Sequence, residues 1–194
     1  AVTFGNGNTG VSGVISGTNS LIGSSDYDNL GRDGVLEIAN SNYVITSSQW
    51  DDGDISGAGA VTFGDGTSGV NGVVSAANSL VGEQDYDYVG LGGVTVLSNG
   101  NYVVSSSSWD NADVTDAGAV TFGSGSTGIS GVVSVGNSLV GAQNYDFVGD
   151  DGVTVLSNGN YVVSSAQWNN GDIYAAGAVT FGNGTTGLSG VVSA

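Results

Sequence analysis

The chain has 194 residues, with 18 Asp and Glu against a single basic residue, Arg32, and no histidine, for a formal charge of −17. The missing cationic footprint excludes a protein that holds nucleic acid by neutralising its phosphates. With no Cys, Met, Pro or Lys the chain also lacks the groups for Cys/His zinc sites, haem ligation, disulfides and Schiff-base or thiol chemistry, while 39% apolar residues still supply a core.

In chain order, the first element is Ala-Val-Thr-Phe-Gly at Ala1, and the same string begins again at Ala60, Ala119 and Ala178, a constant step of 59 residues. Trp50, Trp109 and Trp168 keep that step, as do Tyr43, Tyr102 and Tyr161. The array therefore divides into a partial repeat over 1–17, carrying the last strands of one unit, followed by repeats over 18–75, 76–134 and 135–194 with no linker between them. Met is missing even at position 1, which points to a processed chain or a section of a longer one. No apolar run approaches the roughly 20 residues of a membrane span, so no membrane insertion is expected.

The second repeat shows the pattern best. Val94–Leu97 reads as a strand and Tyr102–Ser106 as the next, with Asn99-Gly100 between them placed for a tight hairpin turn in which glycine takes a positive φ. Ala119–Phe122 is a third strand, and Gly131–Ser134, with an extension to Leu139-Val140, is a fourth. No stretch holds helical periodicity, and glycine recurs too often for a helix to persist. The chain reads as all-β, with tandem four-stranded antiparallel blades of the β-propeller kind; a β-solenoid is the alternative.

The order Asp87-Tyr-Val-Gly90, Gly93-Val-Thr-Val, Asn101-Tyr-Val-Val-Ser-Ser-Ser and Gly118-Ala-Val-Thr-Phe-Gly123 resembles the FG-GAP repeat of integrin-α-type propellers. It is more similar still to tandem repeats of very large secreted bacterial proteins of the haemagglutinin and adhesin kind. That resemblance covers the whole chain and implies a secreted or cell-surface location and a role as stalk, filament or adhesive surface. The calcium loop of FG-GAP blades does not carry over. The matching positions, Ala39–Asn42, Ser98–Asn101 and Ser157–Asn160, contain no carboxylate.

Meander topology sends the loops after strands two and four to one end of each blade. That end would hold 16 of the 18 carboxylates, leaving only Glu37 and Asp65 elsewhere. It also carries Trp50, Trp109 and Trp168 in the two-to-three loops and Tyr27, Tyr86 and Tyr145 in the four-to-one loops. One functional reading takes these six aromatics as a repeated ligand site, with rings stacking on surface glycans or against a cationic partner. A second takes Asp26, Asp28, Asp85, Asp87, Asp110, Asp113, Asp146 and Asp172 as candidate calcium ligands. The structural reading packs the Trp between blades and leaves the carboxylates as a solvated surface.

No enzyme is expected. A serine nucleophile has no His or Lys base, and near-identical carboxylates in every repeat argue against a glycosidase site, which is built once from unlike residues. No cofactor is required, calcium being the one candidate. Three repeats are fewer than the typical four to about eight blades of a closed propeller. Further copies of the chain or adjacent repeats are therefore the expected partners, in a structural segment of an adhesin or filament. The competing function is a multivalent calcium-dependent or lectin-like module.

Overall fold

The computed structural model describes residues 1–194 and is all-β apart from one three-residue 3-10 turn, Ala39–Ser41. Its strands are β1 (Val2–Thr3), β2 (Ser20–Ile22), β3 (Gly34–Glu37), β4 (Tyr43–Ser47), β5 (Ala60–Gly64), β6 (Gly72–Val73), β7 (Ser79–Val81) and β8 (Val94–Val96). There follow β9 (Tyr102–Ser106), β10 (Ala119–Gly123), β11 (Gly131–Val132), β12 (Ser138–Val140), β13 (Val153–Val155), β14 (Tyr161–Ser165), β15 (Ala178–Gly182) and β16 (Gly190–Val191). They form four sheets, in the orders β1-β2-β6, β11-β7-β5-β4-β3, β16-β12-β10-β9-β8 and β13-β14-β15.

The first three strands of each repeat stand where the β-branched runs place them. β8 pairs antiparallel with β9, Val96 opposite Tyr102, and β9 with β10, Tyr102 opposite Gly123. Gly100 takes φ +86 and its N–H donates to the Leu97 carbonyl at 2.9 Å, while Leu97 N–H donates to the Asn101 carbonyl at 2.7 Å. The Asn-Gly pair thus closes a three-residue loop with a left-handed glycine at its end rather than a two-residue turn.

The fourth strand differs from expectation. Gly131–Ser134 does not extend to Leu139-Val140; the chain breaks into two short strands that belong to different sheets. β12 completes its own repeat, pairing antiparallel with β10. β11 crosses to the preceding repeat and lies parallel to β7, Gly131 opposite Leu80 and Val132 opposite Val81. β6 on β2 and β16 on β12 repeat the arrangement. A turn makes the crossing possible: Asn137 Oδ1 accepts from Ser134 N–H and its Nδ2 donates to the Val132 carbonyl, both at 2.9 Å. Each complete sheet consequently draws four strands from one repeat and a fifth from the next. The sheet-forming unit runs from Gly34 to Val81 and from Val94 to Val140, so the boundaries 18–75, 76–134 and 135–194 cut through sheets instead of between them.

The sheets stack face to face. Val44 packs with Val104, Leu80 and Trp109 between the second and third sheets, while its neighbour Ile45 packs with Leu21, Trp50 and Val81 between the first and second. A third cluster, with Val103, Tyr161 and Trp168, joins the third and fourth sheets. Inner strands are therefore apolar on both faces, as buried strands are, and do not alternate. Each cluster lies between successive sheets and none joins the first to the last, so the sheets form an open row with no closed barrel.

Candidate ligand-binding face

The loop after β7 (residues 82–93) and the loop after β9 (107–118) lie at one end of the stack, and each also touches the repeat before or after it. Tyr86 N–H donates to the Ser56 carbonyl at 2.8 Å, Tyr88 N–H to Gly57 at 2.9 Å and Val89 N–H to Ala58 at 3.1 Å. Tyr145, Phe147 and Val148 make the same bonds to Thr115, Asp116 and Ala117. The line is close enough to demand glycine at one point. A Cβ on Gly59, which has φ +75, would stand 2.2 Å from Val89 N, and one on Gly118 would stand 2.2 Å from Val148 N.

Most candidate metal ligands here are occupied by backbone amides. Asp87 is fully buried; its Oδ2 accepts from Glu83 N–H at 2.9 Å and Gln84 N–H at 3.0 Å, and its Oδ1 accepts from Asp110 N–H at 2.9 Å. Asp28 holds Ser24, Ser25 and Asp51, and Asp146 holds Ala142, Gln143 and Asn169, in the same way. Each of the three staples the four-to-one loop onto the two-to-three loop. Burial pushes the Asp87 carboxyl up to about 6, against the pull of its three amide donors, and the nearby Asp110 charge adds to the rise. Asp110 Oδ1 caps Asp116 N–H at 2.7 Å, and Asp85 Oδ1 caps Ser56 N–H at 2.8 Å. Asp26, Asp113 and Asp172 are exposed. No three acidic side chains converge as a metal cage.

The aromatic residues separate into two sets. Trp50, Trp109 and Trp168 are buried in the inter-sheet clusters, so they are packing residues and are removed from the ligand-binding set. The indole N–H of Trp50 and of Trp109 has no acceptor, so the side chain serves there as bulk. Tyr102 and Tyr161 are likewise buried, and desolvation pushes each phenol up to about 12. Tyr27, Tyr86 and Tyr145 are the opposite case, exposed by 86%, 59% and 57%. All three have left-handed backbones, with φ of 67, 68 and 65. Tyr88 and Phe147, two residues on, lean against Tyr86 and Tyr145 with ring centroids 5.8 and 6.0 Å apart.

Two features escape sequence reading. Tyr88, Phe147 and Tyr174 belong to the aromatic surface although only the first tyrosine of each loop stands out in sequence. At the opposite end, beside Asp65, Asn42 Oδ1 accepts from Gly66 N–H at 2.8 Å while its Nδ2 donates to the Gly125 carbonyl of the next repeat at 2.9 Å. Asn101 repeats the bridge between Gly125 and Gly184. The recurrent Asn-Tyr pair was the available signal. These asparagines tie adjacent repeats together where the FG-GAP pattern would hold calcium.

A family profile described as "Repeat of unknown function (DUF5650)" matches residues 1–32, 37–91, 96–150 and 155–194. No curated protein matches the chain.

Proposed function

The chain belongs to the DUF5650 repeat family, and on that footing we propose that it is a structural segment which lengthens by stacking further repeats, or further copies of itself, onto its two end sheets. The observation that carries this reading is a face left open. On β15, Val179 and Phe181 are exposed by 78% and 57%, whereas the equivalent valines of β5 and β10, Val61 and Val120, are 1% exposed beneath the next sheet. At the other end Ile15 is exposed by 61%, whereas its counterparts Val74, Val133 and Val192 are buried, and Gly13-Val14 forms no strand pair, whereas Gly72-Val73, Gly131-Val132 and Gly190-Val191 each pair with the preceding sheet. The end surfaces thus match the two sides of the interface that already joins the repeats.

A strand handed from each repeat to its predecessor favours an open row over a propeller ring, because every added repeat offers the same unfilled edge. The resemblance to large bacterial haemagglutinin and adhesin repeats supports a secreted or cell-surface setting, as part of a stalk or filament.

Small-angle scattering from the chain and from a tandem duplication tests the row. Its longest dimension should grow by about 10 Å per added sheet. A dimension that stops growing, with a central hole, would replace the row by a closed propeller. Sedimentation velocity tests the end faces: self-association that rises with concentration and disappears in Phe181→Asp supports stacking of copies, and identical sedimentation of the two proteins would refute it.

A further inference from the structure

The left-handed tyrosines belong to none of the inter-sheet clusters, and the ring neighbours of Tyr86 and Tyr145 are Tyr88 and Phe147 of the same loops. A bulky residue at positive φ costs about 1 kcal/mol or more relative to glycine or asparagine, yet Tyr27, Tyr86 and Tyr145 all adopt it and all point their rings outward. The first two rings share a groove. Tyr27, Tyr86 and Tyr88 line a groove of about 200 Å³ together with Gln49, Asp51 and Ser56, so it spans two repeats. Two repeats on from Tyr27, Asp51 and Ser56, their counterparts Tyr145, Asn169 and Tyr174 line a second space of about 490 Å³ with Gln143 and Asn144. Stacked sheets lie about 10 Å apart, so the rings recur along the stack at about the length of one disaccharide in an extended glycan.

We propose that this row binds an extended, uncharged polysaccharide laid along the stacking direction, its sugar rings resting on the tyrosines. The flanking groups suit hydroxyls. Asp51 Oδ1 is held by Gly57 N–H at 2.6 Å, which leaves Oδ2 as an acceptor; Gln49 receives Arg32 on its carbonyl at 2.6 Å and keeps its NH2 as a donor. Anionic chains are repelled by the carboxylates around the groove. A cationic peptide would also suit acids and aromatics, but the repeats argue against it. Asp85 and Asp110 become Asn144 and Asn169 in the last repeat, which removes the charge at these two positions beside the ring while Tyr145 keeps both its exposure and its positive φ. What persists is the ring with neutral hydrogen-bonding groups. The proposal uses the side of the stack and the end-to-end stacking uses its ends, so either can fail without the other.

Affinity electrophoresis through soluble β-glucan, xylan and galactomannan, with calorimetry on the matching hexasaccharide and disaccharide, tests it. The chain should be retarded by at least one of these polymers, and the hexasaccharide should bind at least tenfold more tightly than the disaccharide. Tyr86→Asn with Tyr145→Asn should reduce binding at least tenfold with an unchanged or higher unfolding midpoint, because asparagine tolerates the left-handed backbone. Tyr86→Phe should retain binding. Absence of retardation by all three polymers, equal retardation of the asparagine variant, or tighter binding to oligolysine than to any of the glycans would overturn the proposal.

Discussion

Replacing Asp87 by alanine removes one carboxylate and strands three backbone donors, the N–H groups of Glu83, Gln84 and Asp110. These amides sit in loops where water reaches part of the way, so each is charged at the lower end of the cost of an unsatisfied donor, about 1 kcal/mol, or about 3 kcal/mol together. The carboxylate itself carries an opposing cost. Its pKa stands at about 6 against an ordinary 3.8, so the folded state takes up a proton that the unfolded state does not. The stabilisation from that uptake is complete below 3.8 and is lost as pH rises through about 6. Alanine has no proton to gain, so the variant misses this term. The loss of stability should therefore be about 2 to 3 kcal/mol at pH 7.5 and larger by about 1 kcal/mol at pH 5. Urea unfolding followed by tryptophan emission at both pH values measures it, with exposed Asp113→Ala as the comparison. Asp87→Ala no worse than Asp113→Ala, or a difference that shrinks toward pH 5, would refute the account of Asp87 as a buried staple.

Other consequences can be checked in the same way. Gly118→Ala should destabilise by more than about 2 kcal/mol, since the residue has φ +74 and its Cβ would strike the Val148 amide; Gly131→Ala, also left-handed but facing open space, should cost only the backbone strain of about 1 to 2 kcal/mol. Trp109→Ala should cost about 3 to 5 kcal/mol in thermal or urea unfolding, as expected of an aromatic removed from an inter-sheet core. Thermal midpoints should be higher at pH 5 than at pH 7.5 through Asp87. They should fall again above pH 10, where unfolding frees the Tyr102 and Tyr161 phenols, held at about 12 in the fold, to ionise. Sodium chloride should raise the midpoint by screening the −17 charge, and calcium at matched ionic strength should add nothing specific, because no acidic cage awaits it; a saturable calcium effect measured by calorimetry would contradict this.

The legibility of the site was uneven for physical reasons that particular residues display. Exposure of Tyr27, Tyr86 and Tyr145 follows from their place among turn residues and charges, which local sequence reports. The division of labour between Asp85 and Asp87 does not. The two are separated by one residue in the same Asp-Tyr-Asp string, yet one is exposed and the other fully buried, because burial depends on where the loop after β9 closes over them. Tryptophan presents the same problem. A ring that opens a glycine-rich loop reads equally as a binding platform or as packing, and only the adjacent sheet, which covers Trp109 with Ile38, Val44 and Val89, decides.

From the sequence alone come the 59-residue period, the all-β character, the first three strands of each repeat and the turn glycine at Gly100, since all of these rest on local backbone preference or on self-similarity. The tertiary structure decided which strands are partners. Val132 and Val133 are adjacent and alike, but Val132 pairs in the preceding sheet and Val133 fills the core beyond it. Nothing in the chemistry of two valines states that the chain turns at Ser134–Asn137 and hands one strand back to its neighbour. That choice rests on hydrogen bonds to residues some fifty positions away, and it is what makes the repeats a continuous row.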